Sequence, residues 1–196
     1  MADDISFFDK YELEAFRSGV APRTKESLDW FRDKLSGRRI SGEKLLKDPS
    51  IESRNKPIAG RMFAYSYDPK YKETLPYYDR FPLIIMLESA KGGFTGLNLH
   101  YLHPKERAIF FDRLLDYTNN KKYDESTRFK LKYDFLKGAS KLSAFRPCFK
   151  RYLNSHIRSK VGEVQPPEWE MAIFLPIDKF VYNNRRTVWA KSSKMY

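Results

Sequence analysis

The stretch from Arg61 to Tyr101, RMFAYSYDPKYKETLPYYDRFPLIIMLESAKGGFTGLNLHY, limits the possible folds more than any other part of this chain. Its first segment, Met62, Phe63, Ala64, Tyr65, Ser66 and Tyr67, carries an aromatic ring at every second position. Side chains alternate between the two faces of a strand, so this spacing predicts one aromatic sheet face and one small or polar face. Asp68-Pro69 ends the segment, because proline has no amide hydrogen to give to a ladder. Leu83 to Leu87 is wholly apolar and reads as a strand covered on both sides. Gly92-Gly93 then turns the chain into Phe94 to His100, where Leu97 and Leu99 alternate with Asn98 and His100. The reading is an α+β fold, with a small antiparallel sheet at about residues 61–101 packed by helices.

The helices follow from spacing and punctuation. Ile5, Phe8, Glu12 and Phe16 recur near the helical period, with Phe7 and Tyr11 on an adjoining stripe. Thr24 is placed to cap a second helix with stripe Leu28, Phe31 and Leu35, closed by Gly37. A shorter helix through Gly42 to Lys47 ends at Pro49. Residues 1–58 are therefore expected to form a helical arm and linker, packed either on the core or on a neighbour, and residues 49–60 read as a connector. Residues 59–196 form the expected α+β core domain.

Within that core, His103-Pro104 opens a helix with stripe Ile109, Phe110, Leu114, Leu115 and Tyr117, ended by Asn119-Asn120. Residues 124–136 fit both periods; helix is the preferred reading. Gly138 is expected to loosen the chain, Pro147 to start a short helix through Leu153, and residues 157–164 to form an edge strand. Pro166-Pro167 opens a short helix containing Trp169, and residues 183–195 read as a terminal helix.

A chain of 196 residues with 16% aromatic content can bury a full core. Its longest apolar run is too short to span a bilayer, so no membrane contact is expected. The acidic N-terminus lacks the positive charge of an export signal. A single cysteine, Cys148, forms no internal disulfide and fits a reducing compartment.

Charge is distributed unevenly. Residues 1–60 hold 12 basic and 11 acidic side chains (+1), residues 61–120 hold 8 and 7 (+1), and residues 161–196 hold 5 and 4 (+1). Residues 121–160 hold 12 and 3, so +9 of the total +12 lies in that block. Interleaved with aromatics, it reads as a surface for polyphosphate, and the alternative is a solvated face that keeps the chain soluble. The candidate DNA contacts are Arg128, Lys130, Lys132, Lys137, Lys141, Arg146, Lys150, Arg151, Arg158 and Lys160. On a helix, Lys130, Lys137 and Lys141 approach one face. No helix-turn-helix, zinc-finger or RNA-recognition pattern accompanies them, so contact with shape, backbone or an end is expected rather than base reading.

Other chemistry finds little support. His100 and His103 stand three apart without a further ligand nearby, so no metal is expected. Cys148 has no adjacent base and reads as packing, and Lys91-Gly92-Gly93 is too short for a phosphate loop. No cofactor is expected. A nuclease reading would use Asp79 and Glu88 with Lys91, but the lysine falls one position late for the restriction-type pattern. Tyr77 and Tyr78, between Pro76 and Pro82, are either stacking platforms for a base or partner, or buried locks whose hydroxyls bond Asp79.

The run GRMFAYSYDPKYKETLPYYDRFPLIIMLESAKGGFTGLNLHYLHPKERA, with LKYDFLKGASK, FRPCFKRYLNSHIRS and PPEWEMAIFLP, resembles the DNA end protector (head completion) proteins of T-even-type tailed phages. The resemblance covers Gly60 to the C-terminus and is much less clear before it. It implies a virion protein, present in the host cytoplasm during assembly and after entry, that binds double-stranded genome ends non-specifically and shields them from exonuclease. It implies no catalytic residues. The competing reading is a connector subunit of neck, tail or baseplate, associated with other virion proteins and assembled in several copies.

Overall fold

The computed structural model describes residues 5–139 and 141–193. In chain order the elements are α1 (Phe7–Arg17), α2 (Lys25–Leu35), α3 (Gly42–Leu45), β1 (Glu52–Arg54), β2 (Met62–Ala64), β3 (Tyr78–Asp79), β4 (Leu83–Ala90), β5 (Gly93–Asn98), α4 (Pro104–Asn119), α5 (Glu125–Ala139), β6 (Phe149–Leu153), β7 (Val161–Val164), α6 (Trp169–Ala172), β8 (Phe180–Val181) and α7 (Arg185–Ser193). The fold is α+β. A six-stranded sheet runs β1-β7-β2-β4-β5-β6 with every neighbouring pair antiparallel, and β3 pairs with β8 separately.

The alternation in the central stretch builds two cores. Leu83, Ile85 and Leu87 face the helices, together with Met62, Ala64 and Leu97. Ile84 and Met86 face the other way, among Phe63, Tyr65, Tyr67, Phe94 and Tyr152. The aromatic face is as expected; its reverse is part of the main core, with Met62 and Ala64 fully buried, rather than a small or polar surface. Tyr65 and Tyr67 meet Tyr152 edge-on at 5.6 and 5.0 Å between ring centroids, although two strands separate β2 from β6. The sheet therefore curls over its aromatic face, and each such ring pair adds about 0.5–1.5 kcal/mol beyond the area it buries. The end of β6 and the crossover to β7 close this face, through the Leu153 amide, which donates to the Tyr67 hydroxyl at 3.0 Å, and the Tyr67–Ile157 bridge.

Four expectations need correction. Residues 149–153 form edge strand β6 rather than a helix, because the free edge of β5 offers a ladder and Tyr152 fills the aromatic core. Gly93 permits that pairing: a Cβ there would overlap the Tyr152 carbonyl. Strand β7 is interior rather than an edge, covered by β1 from the supposed connector. Its Glu163 is buried because Arg54 and Arg61 meet the carboxylate. Gly138 lies inside α5, which runs on to Ala139. Finally, α1 buries Phe8, Tyr11 and Ala15, while Ile5 and Phe16 of the expected stripe are 71% and 78% exposed.

Helices α1 and α2 contribute Phe8, Tyr11, Leu28, Phe31 and Leu35 to the same core as the sheet, so the N-terminal segment packs on its own chain. Thr24 and Ser27 form a reciprocal capping box on α2, and His103 and Glu106 form one on α4. Asp124 accepts the Thr127 amide at 2.7 Å, and this cap with the burial of Leu136 and Ala139 decides the ambiguous stretch for helix. Helix α7 lies within the expected terminal helix, whose last two positions, 194 and 195, fall outside the described residues.

Candidate nucleic-acid interface

The ten candidate cations occupy α5, the link from α5 to β6, β6 itself, and the crossover to β7. They do not form one face. Lys130 and Lys137, seven residues apart on α5, are exposed and nearly in line along the helix, with Asp134 between them on the same side. Lys137 Nζ lies 3.6 Å from Glu88 Oε2 and 5.3 Å from the Tyr133 ring centroid. In the sheet, Glu88 pairs with Thr95 and Thr95 with Arg151, which sets Arg151 on the same face as Glu88. Its guanidinium donates to the Lys91 carbonyl at 2.8 Å. Residues from three separate segments are thus collected around the β4–β5 hairpin. Lys141 and Arg146 are exposed on the link that follows α5, and Arg128 is half-buried.

Two of the ten are packing residues. Lys132 reaches inward, donating to the Gly60 carbonyl at 3.1 Å with its ammonium 4.1 Å from the Trp169 ring centroid. Burial, with Arg61 nearby, brings its pKa down to about 8. Lys150 sits 4.2 Å from the Tyr101 ring centroid, and burial lowers its pKa also. Arg158 and Lys160 lie on the crossover that closes the aromatic face, away from α5. Arg158 is 4.0 Å from Asp68, a carboxylate already held by Lys72 at 3.0 Å.

The tyrosine pair is mainly structural. Tyr78 is 9% exposed and packs on Tyr182, while Tyr77 is half-buried against Tyr101 and Phe180. Asp79 does not take their hydroxyls. It accepts from the Phe81 and Lys179 amides at 3.0 Å each, from Asn98 at 3.2 Å, and meets His100 Nδ1 at 2.6 Å. Burial alone would raise the carboxyl pKa, but His100 and these amides outweigh it and hold it below the usual range. Asp79 is therefore enclosed, whereas Glu88 is exposed beside Lys137. His103 is the N-cap of α4. Cys148 is buried, and burial pushes its thiol up to about 12. Among the described residues no three His, Cys, Asp or Glu side chains gather as metal ligands, and no helix is long and apolar enough to cross a membrane.

Charge counted along the chain also missed cations that folding brings together. Arg38-Arg39 and Arg185-Arg186 lie in stretches that are nearly neutral overall, yet they line adjoining cavities. The doubled arginines were the only local sign of them.

The family described as Phage T4 terminal DNA protecting protein matches this chain over residues 6–195. The chain belongs to that family. The match includes α1 and α2, where the resemblance by motif was faint, in keeping with their place in the common core. It makes this a phage protein of a terminal DNA protecting family, and it gives the exposed cations of α5 and β6 a ligand to be tested against. No curated protein and no solved structure matches the chain.

Proposed function

We propose that the protein binds the ends of the phage genome without sequence preference, as part of the virion, and blocks exonuclease by occupancy rather than by turnover. Family membership over residues 6–195 carries the reading. The exposed cations support it: Lys130, Lys137 and Lys141 offer point charges and Arg146 and Arg151 two guanidinium forks, all suited to phosphates. Lys132 and Lys150 leave the interface; Arg158 and Lys160 serve at most a separate contact.

The test compares linear duplex with covalently closed circular DNA of the same sequence, by equilibrium binding and by digestion with a processive exonuclease. Binding should favour the linear form, weaken steeply with salt, and slow digestion in proportion to occupancy. Equal affinity for both forms, with unprotected ends, would overturn the reading. A connector role is the second reading. It is favoured by Ile5, Leu13 and Phe16 standing exposed on or beside α1, and by a groove between α4 and α5 lined by Ile109, Phe135 and Leu142. That reading requires stoichiometric, multi-copy incorporation into the particle.

A further inference from the structure

Two adjoining cavities of about 360 and 460 Å³ share Ser36, Pro176 and Arg185 and form one groove. Its walls are the loop from α2 to α3, the start of α4 and the first turn of α7. Arg38, Arg39, Lys44, Lys105, Arg185 and Arg186 line it; its two carboxylates are each held by an arginine, Asp178 by Arg185 and Asp33 by Arg32, both at 3.0 Å. Arg38, Arg39, Lys44, Lys105 and Arg186 are exposed and in no ion pair among the described residues.

This charge is collected by folding, since the six side chains come from three stretches with 147 positions between the first and last. Its placement is also unfavourable in the free protein. Arg185 and Arg186 occupy the first turn of α7, where the helix dipole favours anions and where no acidic residue stands. An anion seated between them and Lys105 would relieve that repulsion. Trp189 forms the floor: it donates its indole N–H to the His100 carbonyl at 2.9 Å, and the Arg185 guanidinium lies 6.0 Å from its ring centroid. His103 packs on Trp189, and burial lowers its pKa, so the groove owes its charge to arginine and lysine at every physiological pH.

We propose that this groove is a second phosphate-binding surface, taking phosphates of the same DNA that meets α5 and β6. The inference rests on the DNA-binding reading above and adds a location to it. Phosphodiesters of the backbone and a 5′-terminal phosphate offer the same chemistry, so the experiment separates them.

The variant R39Q/K44Q/K105Q/R186Q is compared with the parent by fluorescence anisotropy, on short blunt duplexes with either 5′-phosphate or 5′-hydroxyl ends. Affinity should fall at least tenfold, and the slope of log K against log salt between about 50 and 200 mM should become shallower by about 2 to 3. A loss equal on both duplexes places phosphodiesters in the groove; a loss confined to the 5′-phosphate duplex places the terminal monoester there. Either supports the proposal. A folded variant with the parent's affinity and slope overturns it while leaving the DNA-binding reading intact. A parent that binds neither duplex overturns that reading itself, and the groove proposal with it. Should the fourfold variant fail to fold by circular dichroism, R39Q/R186Q is read in the same way, with a slope change of about 1 to 2.

Discussion

Lys132 is the residue on which charge counting and packing disagree most directly, and Lys132→Met separates the two. If Lys132 is a packing residue, its ammonium is held in the folded protein against a desolvation cost. Its pKa of about 8 lies below the ordinary 10.5, a gap equivalent to about 3 kcal/mol of preference for the neutral amine. The unfolded chain binds more protons than the folded one between these values, so stability rises with pH across this window. Integrating the two titrations gives a rise of about 2 kcal/mol between pH 8 and pH 10 from this one group. Buried tyrosines such as Tyr101, whose pKa is raised by burial, work in the opposite direction near pH 10, but they cancel when parent and variant are compared at each pH. Methionine keeps the length of the side chain and its contact with Trp169, and gives up the bond to the Gly60 carbonyl, at a cost of about 1 kcal/mol. Lys132→Met should therefore be about 1–2 kcal/mol more stable than the parent at pH 7, with the gap closing toward pH 10. Urea unfolding at a series of pH values measures this. DNA affinity and its salt slope should match the parent, whereas Lys130→Met should lower the slope by about 0.9 if Lys130 meets a phosphate. Parallel pH curves for parent and variant, or a salt slope reduced by Lys132→Met, would refute the assignment.

The parts of this molecule that were legible in the sequence are those decided locally. Alternation from Met62 to Tyr67, the apolar run from Leu83 and the Gly92-Gly93 turn place β2, β4 and β5 without reference to anything distant. Caps at Thr24 and His103 do the same for α2 and α4. The errors fall where a distant partner decides. FKRYL becomes a strand because β5 has an open edge and the aromatic core has room for Tyr152, neither of which is a property of those five residues. VGEV is interior because Arg54 and Arg61 neutralise Glu163, so a glutamate that marks an exposed strand in one dimension is buried in three. The candidate cations are dispersed over the molecule for the same reason. A window of forty residues measures charge along the chain, while phosphate responds to charge across a surface. Folding removed Lys132 and Lys150 from that surface, left Arg158 and Lys160 on the crossover to β7, and assembled Arg38, Arg39, Lys105 and Arg186 from nearly neutral stretches.

Two further outcomes test carboxylates, one half-buried and one enclosed. Burial raises the Glu168 pKa to about 7, so the folded state binds the extra proton between the ordinary value of 4.5 and about 7, and stability is lost as pH rises through that range. Glu168→Gln keeps an acceptor for the Gln165 amide and, allowing for solvent screening of this half-buried group, should gain about 1 kcal/mol at pH 8 but nothing at pH 4, by urea unfolding. Asp79 supplies the sharper case. One oxygen takes the Phe81 and Lys179 amides and the other takes Asn98 and His100, so this carboxylate ties the β3–β8 pair to the end of β5. Asp79→Ala leaves the groups that bond this carboxylate without their partner in an enclosed site, and each buried polar group left unpaired costs about 1–3 kcal/mol. Because the folded carboxyl pKa is held low, the parent's advantage is present at neutral pH and is lost as pH falls through that lowered value. A nuclease that used Asp79 would behave in the opposite manner, losing cleavage while keeping its stability. The pair of measurements is decisive in both directions: unfolding midpoint for the structural role, and DNA binding below that midpoint for the functional one. An Asp79→Ala protein as stable as the parent, or a folded one that has selectively lost an activity on DNA, would show that the site serves chemistry rather than architecture.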